Sequence, residues 1–244
     1  TWGLLACAAC LAALFLRAET KAEAPLLDLE LLRKNRLFAM ANLAALLNYM
    51  ALYGIAILTA VHLQLVQGRS ARAAGWIMLC QPLMQACLSP LAGRLSDRMG
   101  SRILSTAGML LTALGMGLLA ALDRRAGVPQ VILALAVVGI GMAAFSAPNT
   151  SAVMGSVDRG QLSVASAFLG TMRVMGQALS IAFLGGIASM RLSPEEWQQL
   201  LHRHGSLHAS GAFAWGYSAA MLTGALLALL GAWASLTRGA RRAG

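Results

Sequence analysis

Seven long stretches of this chain are almost continuously apolar, and they constrain its fold more than any other feature. They cover residues 2–16, 37–62, 73–93, 103–122, 129–151, 161–190 and 211–236. A helix needs about 20 mostly apolar residues to cross a bilayer. Only 11% of the residues are charged, against about 25% in a soluble domain. We therefore predict an all-α integral membrane protein that is embedded in the lipid bilayer.

The basic residues between these stretches predict the orientation of the chain. Of the 19 Lys and Arg residues, twelve fall on the side that holds residues 17–36, six fall on the other side, and Arg173 lies within a span. Cytoplasmic loops carry the excess of Lys and Arg. We therefore place residues 17–36, the loop at 93–102 and the C-terminus on the cytoplasmic side of a cytoplasmic (inner) membrane. Short basic loops contact lipid head groups, so no nucleic-acid partner is expected.

Polar segments divide the chain into four parts. Residues 1–16 hold a short first span, 17–36 a cytoplasmic connector, 37–236 a six-span unit and 237–244 a basic cytoplasmic tail. The chain begins inside an apolar run, so we expect either the later part of a longer protein or a truncated gene product. The external segment 191–210 resembles an interfacial helix that begins near Ser193. Its histidines have no suitably spaced Cys or acid, so no metal site and no cofactor are expected.

One short loop concentrates charge between two apolar runs. Its pattern is Gly93-x3-Asp97-Arg98-x-Gly100-x-Arg102, with Arg94 next to the first glycine. A turn between two spans needs glycine to reverse the chain and charge to remain in water. An acid here can also interact with the positive N-terminal end of a helix or with a neighbouring guanidinium. Such a cluster is expected to stabilise one arrangement of two helices over another.

This pattern resembles the signature loop of the major facilitator superfamily, which lies between the second and third helices of each six-helix half. Here it lies between the second and third spans after the connector, and only Ile103 departs from the signature, where a basic residue is usual. The resemblance implies a major facilitator six-helix C-terminal bundle, preceded by one further transmembrane helix.

A second stretch resembles the fourteen-helix drug:proton antiporters of this superfamily. Residues 139–179 share with that branch Gly139, Gly141, Pro148, Asn149, Arg159, Gly160, Ala165, Ser166, Arg173 and Gly176. The resemblance implies a non-enzymatic transporter that moves small amphipathic drugs or metabolites outward against protons, together with an N-terminal half. A non-transporting scaffold or a remnant half-transporter is the alternative. Export rather than import is itself only implied by the resemblance.

The polar residues within the spans suggest which helices face the pathway. Segments 103–122 and 211–236 contain no Asp, Glu, Lys, Arg, His, Asn or Gln. Polar groups avoid lipid, so the four other spans of the unit are expected to face protein or water. Their candidate pathway residues are Asn48, Tyr49, Tyr53, Gln81, Gln85, Asn149, Arg173 and Gln177. Hydrogen bonding between helices, without any ligand contact, is an equally open interpretation.

Arg173 is the most informative of these candidates. It lies about twelve residues, roughly 18 Å, into its span. It is expected to pair with a carboxylate of the other half or with gate carbonyls, unless it snorkels to the cytoplasmic surface. None of the nine acids lies deep in a predicted span. The acid that couples transport to protons is therefore expected in the N-terminal half.

Overall fold

A computed structural model describes residues 29–122, 126–193, 195–196 and 207–238. The predicted first span, most of the connector, most of the external helix and most of the basic tail lie outside these residues. Every regular element in the described ranges is helical, which confirms the prediction of an all-α protein.

Eight helices, numbered here in chain order, make up the described part of the chain. A π-helical turn, His62–Val66, and a 3-10 turn, Arg159–Gln161, lie between these helices. The helices are α1 Leu29–Lys34, α2 Arg36–Val61, α3 Ala71–Met78, α4 Cys80–Met99, α5 Ser101–Ala120, α6 Val128–Met154, α7 Leu162–Ser189 and α8 Leu207–Thr237.

Five segments of the described residues are long and apolar enough to cross a membrane. They are Arg36–Val66, Ser101–Ala120, Val128–Met154, Arg159–Ser189 and Ser210–Thr237. The segment predicted as the span 73–93 is helical as well, but it is divided between α3 and α4. The helix α4 is less apolar than the five spans because it contains two glutamines and two prolines and carries charged residues in its last turns.

The break between α3 and α4 is caused by a proline. Pro82 has no N–H to donate to the carbonyl of Met78, and its ring crowds that carbonyl. The helix therefore ends at Met78 and resumes at Cys80, where Leu83 N donates to Leu79 O over 3.1 Å. The interruption lies at Leu79, about one turn before Pro82.

The long helices pack in a curved row rather than in chain order. In that row α4 packs on α6, α6 on α5, α5 on α8, α8 on α2, and α2 on α7. Close contacts depend on glycine: a Cβ added to Gly108 would lie 2.6 Å from the carbonyl oxygen of Gly141, and the reverse is also true. The two helices with the least polar sequences, α5 and α8, pack against each other in the middle of the row. α4 and α7 lie at its two ends.

Candidate functional site

The candidate site forms where α7 lies against α2. A Cβ added to Gly176 would lie 2.7 Å from the carbonyl oxygen of Leu46 and 2.9 Å from the Cβ of Tyr49. Small residues let helices approach this closely in membranes. Because Arg173 lies one turn before Gly176 on α7, the close approach places the guanidinium beside the Tyr49 ring. Gly170, the glycine on the other side of Arg173, has no atom within 4 Å of an added Cβ, so it makes no such contact.

Arg173 joins three helices through its guanidinium. Its Nη2 donates a hydrogen bond of 2.7 Å to Thr150 Oγ1 on α6. Its Cζ lies 5.7 Å from the ring centroid of Tyr49 on α2, within the range of a cation–π contact. The Thr150 hydroxyl donates in turn to Ser146 O over 2.9 Å, which leaves its oxygen free to accept from Arg173. Two residues that the sequence singles out separately, Tyr49 and Arg173, are thus brought together.

The position of this guanidinium is suited to interaction with a ligand. Arg173 is only half-buried, and its Nε has no hydrogen-bond partner among the described residues. The side chain extends toward Thr150, four residues before α6 ends, so it points toward the predicted cytoplasmic end as snorkelling requires. Its hydrogen bond nevertheless stays within the helix bundle. The arrangement supplies a fixed positive charge backed by an aromatic face.

The other pathway candidates differ in how much of their side chains is exposed. Tyr53 is 43% exposed and lies one turn after Tyr49 on the same face of α2. Gln177 lies one turn after Arg173 on α7 and is half-buried. Gln81 and Gln85 are half-buried near the start of α4, at the opposite end of the row of helices. These four side chains retain surface that another half or a ligand can contact.

Two asparagines are instead enclosed within the bundle. Asn48 has no exposed surface, and its Nδ2 donates to Met142 Sδ over 3.3 Å. Asn149 is 2% exposed, and its Nδ2 donates to Ala41 O over 3.0 Å. For both residues the geometry favours the second interpretation from the sequence, hydrogen bonding between helices.

The signature loop is shorter than its sequence suggests. Gly93, Arg94, Asp97 and Arg98 all lie within α4, and Arg102 lies in the first turn of α5. Only Gly100 separates the helices, with φ +85° and ψ 141°, a backbone conformation that favours glycine. One residue therefore reverses the chain where ten were expected to form the turn.

The acid of this loop is exposed in the structure. No described residue forms an ion pair with Asp97, although Arg94 and Arg98 lie nearby on the same helix. Exposed ion pairs gain little because water solvates both partners. The expected charge cluster within the loop is therefore not formed in this conformation. Asp97 instead lines a cavity of about 660 Å³.

Arg238, which the sequence places in the basic cytoplasmic tail, is buried at the end of α8. Arg238 is 1% exposed. Its Nη1 donates to Asn149 Oδ1 over 3.0 Å, and its Nη2 donates to Ser105 Oγ over 3.3 Å. Burial and the nearby Arg102 guanidinium lower the pKa of Arg238 to about 10, so the side chain stays protonated at neutral pH. The feature of the sequence that could have indicated this burial is the position of Arg238 directly after an apolar helix.

A second polar cluster, which the sequence analysis does not predict, lies at the C-terminal end of α2. Thr59 Oγ1 and Tyr217 Oη lie 3.1 Å apart, and the rings of Tyr217 and His62 stack with centroids 4.3 Å apart. His62 is fully buried, and neither ring nitrogen has a partner among the described residues. Tyr217 lies in a long run of apolar and small residues in α8, and no feature of that run pairs it with α2.

Known transporters are similar to this chain in sequence. The riboflavin transporter RibZ of Clostridioides difficile is 31% identical over 72% of the chain, which covers 38% of that protein. The multidrug resistance protein Stp of Mycobacterium tuberculosis is 30% identical over 74% of the chain and 33% of its own length. The methyl viologen resistance protein SmvA of Salmonella typhimurium is 28% identical over 96% of the chain and 53% of its own length. The chain thus spans about half or less of these relatives.

The family assignment agrees with the helical membrane fold described above. Residues 41–243, which include the signature loop and all five apolar spans except the start of the first, match the Major Facilitator Superfamily. The relatives are named as transporters or resistance proteins, which indicates a protein that is not an enzyme. This chain belongs to the Major Facilitator Superfamily of membrane transporters.

Proposed function

We propose that the chain is the C-terminal half of a proton-coupled antiporter that exports small amphipathic drugs or metabolites. The transporter would lie in the cytoplasmic membrane with its C-terminus inside. One observation carries the proposal: Arg173, near the middle of α7, holds a half-exposed charge against Tyr49 and Thr150. A charge at this depth is costly and normally serves a pathway. An aromatic face beside a hydrogen-bonding cation suits a flat, amphipathic molecule.

Alternating access explains why a second half is required. The helices form a curved row whose end helices, α4 and α7, carry half-exposed polar side chains. In repeat-built transporters the substrate lies between two such halves, which rock about it. An N-terminal half, in the same longer chain or separate, would cover these helices and complete the pathway. The names of the relatives Stp and SmvA support drug-like substrates for this branch.

Coupling to protons is assigned to the N-terminal half. The five described spans contain no Asp or Glu. A coupling group must load and release a proton during the cycle, which a carboxylate within the membrane does in many transporters. We therefore place the acid outside these spans and assign substrate contact, rather than proton transfer, to Arg173.

Accumulation of drugs in cells tests this function. Cells that express the full-length gene, or carry an empty vector, are loaded with ethidium, methyl viologen or riboflavin. We expect lower accumulation of at least one compound with the full-length gene, and loss of that difference when a protonophore removes the proton gradient. Equal accumulation of every compound, with the protein confirmed in the membrane, would favour the alternative of a non-transporting scaffold or remnant.

A further inference from the structure

A cavity of about 660 Å³ lies at the predicted cytoplasmic end of the helices, and neither Arg173 nor Tyr49 lines it. Residues at the ends of α2, α4, α5, α6 and α8 line it. Its volume lies in the range of small-molecule sites. The polar and charged residues that line it are Ser96, Asp97, Ser101, Arg102, Ser151 and Arg238.

The wall of this cavity contains a buried charge that forms no ion pair with any residue of the described ranges. Arg238 is 1% exposed and hydrogen-bonds only to the neutral side chains of Asn149 and Ser105, while its Nε has no partner in the described part of the chain. A buried charge is costly unless an opposite charge lies close to it. An anion in the adjacent cavity would supply that charge.

The first turn of α5 adds two further positive features to the same cavity. Arg102 is exposed there, so its guanidinium is accessible to a ligand. The N-cap of this 20-residue helix is Gly100, which has no side chain to accept from the first N–H groups. Those N–H groups and the helix dipole favour an anion at this end. Asp97 is the single acid among the described residues that line the cavity.

We propose that this cavity binds a phosphate group, carried by an anionic lipid head group or by a free phosphate compound. The phosphate lies at the N-terminal end of α5 and contacts Arg102 directly. Arg238 acts from the cavity wall as a fixed charge, held in place by Asn149 and Ser105. Asp97 repels the anion and so confines it to the Arg102 side.

Thermal unfolding of the purified full-length protein tests the proposal. The midpoint is measured in detergent with added dioleoyl phosphatidylglycerol, dioleoyl phosphatidylcholine or inorganic phosphate. We expect phosphatidylglycerol to raise the midpoint by several degrees more than phosphatidylcholine. Arg102→Gln loses more than half of this difference. Arg98→Gln, a matched control that removes the same charge from the same loop but outside the cavity, keeps it.

Asp97→Asn gives an independent test with the opposite sign. Removal of the repelling carboxylate is expected to increase the response to phosphatidylglycerol, even if Arg102→Gln does not fold. Stabilisation by inorganic phosphate alone would identify a free phosphate compound as the ligand, whereas stabilisation by the lipid alone would identify a head group. Equal losses in Arg102→Gln and Arg98→Gln would indicate diffuse attraction to the surface and overturn the site, as would an absence of any response to anions.

Discussion

Arg238 and Asn149, 89 residues apart in sequence, are joined by a hydrogen bond of 3.0 Å from Nη1 to Oδ1. Asn149 donates its Nδ2 to Ala41 O, and Arg238 also binds Ser105. The end of α8 is thereby connected to α2, α5 and α6. Because these partners are buried, the contact fixes the relative positions of four helix ends near the signature loop.

Removal of the Arg238 side-chain charge is expected to destabilise the helix bundle. Arg238→Met breaks two charge-assisted hydrogen bonds and leaves Asn149 Oδ1 without its donor, at a cost of about 2–4 kcal/mol. The midpoint of thermal unfolding of the full-length protein in detergent measures this loss. Arg159→Met, which removes an exposed arginine, should change the midpoint little. Equal midpoints for both variants would show that the Arg238 contacts do not stabilise the fold.

The contact between α2 and α7 is expected to be sensitive to a single methyl group. Gly176→Ala places a Cβ 2.7 Å from Leu46 O, so the helices must separate, at a cost of about 1–3 kcal/mol. Gly170→Ala is the matched control on the same helix, because no atom lies within 4 Å of its added Cβ.

The two alanine variants should therefore differ in stability and in transport. Thermal unfolding and efflux are measured together at matched membrane levels. Gly176→Ala is expected to lower both, whereas Gly170→Ala should leave both near the parent values. If Gly170→Ala is as damaging as Gly176→Ala, the close approach of α2 and α7 is not the cause.

The carboxylate of the signature loop is expected to affect transport more than stability. Asp97 is exposed and has no ion pair with any described residue, so Asp97→Asn should leave membrane abundance near normal. If Asp97 stabilises another conformation through a charged hydrogen bond of about 1–3 kcal/mol, the transport rate should fall. Asp158→Asn, at an exposed acid elsewhere in the chain, serves as the control. Transport unchanged by Asp97→Asn would reduce the loop to a topology signal.

The predicted orientation of the chain can be tested at the turn between α4 and α5. Ser101→Cys, in a background without other cysteines, should resist an impermeant thiol reagent added outside intact cells. The same cysteine should react after the cells are opened. Rapid labelling in intact cells would reverse the orientation inferred from the basic loops.

The sequence predicts the long helices well because each membrane span must satisfy its own backbone and bury apolar side chains. The bounds of α2, α5 and α6 agree with the predicted spans to within about three residues. The sequence also singles out Tyr49 and Arg173, since polar groups are rare in such helices. Their mutual contact was not predictable, because it depends on how α2 packs against α7.

Other features depend on packing that a sequence does not display. Arg238 donates a hydrogen bond to Ser105, which lies 133 residues earlier in the chain. Its burial therefore depends on how the helices pack and not on its position after α8. The hydrogen bond between Tyr217 and Thr59 likewise depends on the packing of α8 against α2. The signature loop contracts to Gly100 because both neighbouring helices extend into the charged motif. That extension is possible because exposed charges are tolerated on the end of a helix.

We propose that Arg173 acts through its charge and planar shape, and transport by its variants tests this most directly. Efflux is compared for Arg173→Met, Arg173→Lys and Arg191→Met at matched membrane levels. Arg191 serves as the control because it is exposed, with its Cζ 3.5 Å from the ring centroid of Trp215. We expect Arg173→Met to lose most transport and Arg191→Met to retain it. Arg173→Lys should keep part, because Lys retains the charge but not the planar fork. Parental transport by both Arg173 variants would contradict the account.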